Sequence, residues 1–197
     1  MKSKFLPLLV AALAALPLAG CGSDDEPDSA STSAGGNGTD RAFVKEMVPH
    51  HESAIDMAEI AQKRGESEFV KTLAGNIVQT QQTEIAKLTR EDEALDTAGV
   101  NVGSLDMDHD TMGMDGDTQS LEKADPFDTA FVEMMIPHHE GAVMMAKAEL
   151  DKGADPELKK IAKEIFDAQK REIDEMKKFL ADSGDETTTN SAEEMDH

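Results

Sequence analysis

Six histidines and twelve methionines are the side chains in this 197-residue sequence with the strongest claim on metal chemistry. Their placement is patterned. Met47 stands three and four positions before His50 and His51, and Met135 stands likewise before His138 and His139. Met107 precedes His109, and Met195 precedes His197. Helical residues three or four apart share a face, so Met47 and Met135 each lie beside their own His pair. Met57 and Met145 lie two turns beyond His50 and His138 on that face. Imidazole with thioether suits Cu(I), and also Ag(I), whereas carboxylate-rich sites favour calcium, magnesium or manganese. Met is also a flexible core filler, so Met144, Met145 and Met176 read equally well as packing. Neighbouring histidines project about 100° apart on a helix, so one of each pair should face inward and the other the flank.

A second cluster lies in Met107-Asp108-His109-Asp110-Thr111-Met112-Gly113-Met114-Asp115. No apolar neighbours in sequence surround Met107, Met112 and Met114, so they are expected to be exposed and, with His109, to capture soft ions. Calcium is a weaker alternative. Asp106, Asp108 and Asp110 alternate as in an EF-hand loop, but Thr111 stands where Gly is needed and Asp117 where the bidentate Glu belongs. A plain linker is the third reading.

Carboxylates near the His pairs raise iron as a further alternative. Glu84 and Glu172 occupy matching places and could equally contact the neighbouring His or face solvent. Di-iron bundles use Glu-x-x-His on two helices, and that motif is missing: Glu46 is four residues before His50, and its counterpart is Met134. No nucleophile motif, phosphate loop or nucleotide fingerprint occurs, so no enzymatic activity is expected.

An internal repeat positions these residues. Phe43-Val44-Lys45-Glu46-Met47-Val48-Pro49-His50-His51-Glu52 recurs 88 positions later as Phe131-Val132-Glu133-Met134-Met135-Ile136-Pro137-His138-His139-Glu140. The same offset relates Ile77 to Ile165, Gln81 to Gln169 and Glu84-Ile85 to Glu172-Ile173. Each copy predicts two helices, over about 40–64 and 67–92 and again over about 125–150 and from 156. Gly65 and Lys152-Gly153-Ala154 mark the breaks, with Ser67, Asp125-Pro126 and Asp155-Pro156 as helix starts. Four amphipathic helices with short breaks predict an all-α, four-helix up-down bundle built from two duplicated hairpins, over residues 40–182. Residues 93–122 form the long connection. Pro49 and Pro137 should kink their helices, unless each helix simply begins there.

The flanks read differently. Residues 1–20 form a signal peptide: Lys2 and Lys4, then an apolar stretch too short to span a bilayer. Leu18-Ala19-Gly20-Cys21 resembles a bacterial lipobox, which implies a lipidated Cys21 and anchoring on the extracytoplasmic face of the cell membrane. Residues 21–39 are expected to be a flexible tether and 183–197 a disordered acidic tail. A net charge of −22 excludes nucleic acid as a partner and favours cations. Membrane contact is expected through the lipid alone, and the sequence identifies no protein partner, which leaves a partner-binding helical scaffold open as a further role.

The doubled Phe-Val-x-x-Met-(Val/Ile)-Pro-His-His-Glu, each followed by a helix ending Gln-x-x-Glu-Ile, resembles domain-of-unknown-function family 305. The resemblance covers about residues 40–182. It implies an exported, ferritin-like helical protein, with copper binding and resistance in some members. It also implies metal-binding roles for Met47, His50, His51, Met57, Met135, His138, His139 and Met145. Phe179 departs from the pattern, since the family often has Trp there.

Overall fold

A computed structural model describes residues 35–108, 110–113 and 118–193 of the chain. The signal peptide, Cys21, His109, Met114, Met195 and His197 lie outside the described residues. The fold is all-helical: α1 spans Gly38–Arg64, α2 Glu68–Thr97, α3 Thr118–Leu121, α4 Phe127–Lys152 and α5 Pro156–Glu193. The two repeat copies are the antiparallel hairpins α1–α2 and α4–α5, and each helix runs opposite to the helices packed beside it, while α2 and α4, joined by the long connection, run in the same direction. Arg41 at the start of α1 pairs with Asp92 near the end of α2, and Phe69 at the start of α2 stacks on Phe179 of α5.

Capping residues set the helix starts. The Asn37 side chain accepts from the amides of Thr39 and Asp40, while Asp40 accepts from the Asn37 amide, a reciprocal cap for α1. Ser67 accepts from the Val70 amide, and Asp155 from those of Glu157 and Leu158, as their positions predict. Asp125 does not cap α4. Pro126 occupies the cap position, without a side-chain hydrogen bond, and α4 begins one residue later. Both prolines lie inside helices that begin well before them, so the alternative of helices starting at Pro49 and Pro137 is excluded. Helix α5 continues to Glu193, which replaces the expected structureless segment from Ser183 with helix to that point. A single Gly184 in this stretch is a weaker helix breaker than a proline would be.

An acid brace joins the hairpins at each end. Asp40 accepts from the amides of Ala154 and Asp155 at the α4–α5 turn (3.0 and 2.8 Å). Asp128 accepts from those of Glu66 and Ser67 at the α1–α2 turn (2.9 and 2.7 Å). These residues are related by the same repeat offset, so each first helix clamps the turn of the opposite hairpin. Each brace also satisfies backbone donors at the start of a helix that would otherwise lack partners.

The core has two apolar layers. One collects Phe43, Met47, Leu88, Met145, Leu158 and Ile165, and the other Met57, Ile77, Phe131, Met135, Ile173 and Met176. Along both α1 and α4 the His pairs fall at the boundary between layers. Burial of each large apolar side chain contributes roughly 1.5–3 kcal/mol. Four imidazoles at the middle of such a core carry a polar cost that requires an explanation.

Candidate metal centre

Pro-His-His places two imidazoles at consecutive positions of α1 and two on α4, and antiparallel packing brings them together. His50, His51, His138 and His139 are all buried. His50 and His138 face each other across the α1–α4 interface, with ring centroids 3.8 Å apart and planes tilted by 37°. The second His of each pair turns to the flank, as the helical geometry predicts. His51 Nε2 lies 2.8 Å from Glu84 Oε2 on α2, and His139 Nε2 lies 2.7 Å from Glu172 Oε2 on α5. Of the two alternatives for these glutamates, contact with the neighbouring His is the one present, and it is present in both copies.

These contacts assign the protons. A carboxylate only accepts, so His51 and His139 each donate from Nε2, leaving the Nδ1 lone pair free. The Met112 carbonyl, 2.9 Å from His50 Nε2, sets the same tautomer there. Nδ1 of all four histidines is buried without a hydrogen-bond partner, and so is His138 Nε2. Burial, then the neighbouring His51, lowers the His50 pKa to about 3. Burial and His50 also hold His138 well below its ordinary value. Both are neutral at physiological pH, the state in which imidazole binds a metal.

The methionines flank this centre in crossed pairs. Met47 of α1 shares a layer with Met145 of α4, and Met57 shares the other with Met135. All four are fully buried. The loop behaves differently from its sequence. Met112 is 5% exposed and joins the first layer, and Met107 packs against it, so neither is the exposed thioether expected. Tertiary contact supplies the apolar neighbours that the local sequence lacks. Two glycines permit the approach: Gly113 has φ +70°, and a Cβ on Gly141 would stand 1.9 Å from the Met112 carbonyl oxygen. The repeat counterpart of Gly141 is Ser53, so only one copy can accept the loop this closely.

The rival metals find less support. Asp106 pairs with Lys152 at 3.0 Å, and Asp108 accepts from the Thr111 amide at 2.8 Å. Among the described residues, no three His, Cys, Asp or Glu side chains form a group able to hold an ion. Asp117 of the calcium alternative lies outside the described residues, and a di-iron cage needs such a group. A soft ion does not, because thioethers complete its coordination. The sequence reading missed the strapping of Met112 over His50 and the paired Asp40 and Asp128 braces. The repeat offset relating the two aspartates was the available signal.

Comparison with known proteins places this architecture. Residues 40–180 match the family described as a domain of unknown function, DUF305. The structure of CopM in its Cu(I)-bound form is 35% identical, with a TM-score of 0.60 over 73% of this chain and 96% of that one. CopM has also been solved in Cu(II)-bound and Ag-bound forms. A putative secreted DUF305 protein from Streptomyces coelicolor gives a TM-score of 0.64 at 29% identity, over 75% of this chain and 93% of that one. Uncharacterized protein L153 of Acanthamoeba polyphaga mimivirus is 38% identical over 53 residues, 27% of this chain. That match spans 35% of the mimivirus protein.

Proposed function

The chain belongs to the DUF305 family, and we propose that it binds Cu(I), or Ag(I) in its place, through buried His and Met side chains. One observation carries this reading: four buried imidazoles present unpartnered Nδ1 atoms while three have Nε2 held by Glu84, Glu172 or the Met112 carbonyl. Metal-binding histidines characteristically donate their other N–H to a carboxylate or carbonyl, which fixes the tautomer and raises ligand basicity. Each buried polar atom without a partner costs roughly 1–3 kcal/mol, and a bound ion removes that cost. The crossed Met47–Met145 and Met57–Met135 pairs place thioethers in the layers on either side. CopM, solved with Cu(I), Cu(II) and Ag, supports the same metals.

Function here is holding and releasing an ion rather than catalysis. Lipid at Cys21 would tether the bundle on the extracytoplasmic face, where an acidic surface raises the local concentration of cations within about a Debye length of ~8 Å. The loop residues Met107, His109, Met112 and Met114 would take part in capture and closure, with Met112 already over His50.

Anaerobic addition of Cu(I) to the chain from Cys21 onward tests the reading. Wild type should take up Cu(I) with X-ray absorption reporting sulfur and nitrogen neighbours. Replacing His50, His51, His138 and His139 together by Ala should abolish most uptake. Equal uptake by that variant, with its helix content intact, would remove the proposal.

A further inference from the structure

The four imidazoles are buried, so an ion needs a route to them, and the two halves of the α2–α5 seam differ in what they offer. Between α2 and α5 lies a groove of about 310 Å³ whose walls include Glu68, Thr72, Asn76, Glu172 and Glu175, with no cationic side chain among its lining residues. Glu172 connects outside to inside. It lines this groove, its side chain is 19% exposed, and it accepts from Nε2 of the fully buried His139. One turn before it on the same face of α5, the Gln169 amide is 3% exposed and has no hydrogen-bond partner at either polar atom. His139 Nδ1 also lacks a partner. Glu172 thus joins an acidic groove directly to a histidine of the buried centre.

The repeat supplies an internal control. On the other half of the same α2–α5 seam Glu84 holds His51 in the same way, and Gln81 Oε1 likewise lacks a partner, but the flanking residues have changed. Where the groove has Glu175, the other copy has Lys87, and Asn76 and Thr72 are replaced by Glu164 and Lys160. Lys87 Nζ reaches Glu164 Oε2 at 3.1 Å, an ion pair that ties α2 to α5 across that half. One half keeps a groove whose lining charges are all anionic, with Lys71 4.0 Å from Glu68 at its edge, and the other is bridged by an ion pair and carries two lysines.

We infer that the Glu68–Glu172–Glu175 groove is the port through which a soft monovalent cation loads the buried centre, and that the Glu84 half of the seam is not. The inference rests on the Cu(I)/Ag(I) reading given above. Hard carboxylates attract such an ion without retaining it, whereas imidazole and thioether bind it more tightly, so the carboxylates form a funnel rather than a sink. A cleft lined by one sign of charge raises association rates by focusing the field.

Stopped-flow transfer of Cu(I) from a coloured chelator, anaerobically and at low ionic strength, separates these statements. Glu175→Lys and Glu68→Lys should each slow loading by about tenfold or more while leaving the final amount of bound Cu(I) unchanged. Glu164→Lys and Lys87→Glu should change the rate less than about twofold. High salt should narrow the gap between wild type and Glu175→Lys, because screening removes the field. Equal rates for wild type and both groove variants, with full final binding, would overturn the port and leave the metal reading standing. Slowing by Glu164→Lys as large as that by Glu175→Lys would also overturn it. No uptake by wild type would remove the metal reading and the port with it.

Discussion

At the scale of single residues, the question is whether buried methionines pack or bind. Packing alone treats Met and Leu as near equivalents, since such exchanges in a core usually cost less than about 1.5 kcal/mol. Leu has no lone pair. The double variant Met47→Leu, Met135→Leu is therefore expected to keep its thermal stability within a few degrees while weakening Cu(I) binding at least about tenfold. Competition against a chelator of known affinity reads this directly, and unchanged affinity would assign these methionines to the core. A second residue-scale prediction concerns Glu149, which is buried against Asp40. Burial first, then Asp40, raises its pKa from 4.5 to about 8. The folded state therefore holds a proton that the unfolded chain releases, and the associated stability is complete below pH ~4.5 and lost as pH rises towards about 8. Glu149→Gln removes this proton linkage. Its melting temperature should fall less than that of wild type between pH 5 and pH 8.5, and parallel pH profiles would contradict the assignment.

At the scale of elements, the helices were legible because hydrophobic period, caps and breaks agreed along each copy. Ser67 and Asp155 cap where their positions predict. Asp125 misled, because an Asp-Pro pair just ahead of a helix reads equally well as its cap or as the turn before it. The loop was the harder case. Met112 stands among Asp110, Thr111, Gly113 and Met114 in sequence, a stretch without a core pattern, and its contacts come from His50 of α1 and Gly141 of α4 through tertiary packing. Gly141 carries the loop's close approach. A Cβ there would stand 1.9 Å from the Met112 carbonyl, so Gly141→Ala must lift the strap from His50. Hydrogen exchange should then accelerate across residues 105–113, while Ser53→Ala at the equivalent place should leave that segment unchanged. Protection preserved in Gly141→Ala would mean that the strap does not depend on this contact.

Duplication organises the whole molecule. Two copies pack head to tail, so identical motifs meet: His50 against His138, Met47 near Met145, and braces at Asp40 and Asp128. The fold class and the meeting of motifs were visible in the repeat. The braces were not read from it, since an Asp in the first helical turn is adequately explained by the helix dipole. Divergence between copies appears where symmetry is unnecessary or harmful, at Gly141 against Ser53 and Glu175 against Lys87. Hydrogen bonds to a charged group contribute roughly 1.5–3 kcal/mol, so Asp128→Ala should lower unfolding free energy by about that amount through loss of both turn amides. Denaturant melts should show it, and a loss below about 0.5 kcal/mol would mean that the hairpins associate without the brace.

In the proposed site each buried Nδ1 is a metal ligand, while the Met112 carbonyl, Glu84 and Glu172 hold the opposite nitrogens of His50, His51 and His139. Long-range nitrogen-15 NMR of the histidine rings, recorded with and without Ag(I), addresses it atom by atom. Before the ion is added, His50, His51 and His139 should show protonated Nε2 and lone-pair Nδ1. With Ag(I) bound, Nδ1 of the buried rings should shift and couple to silver, with the Nε2 protons of His51 and His139 retained. Rings whose Nδ1 signals do not move, or silver coupling confined to Nε2, would contradict the account.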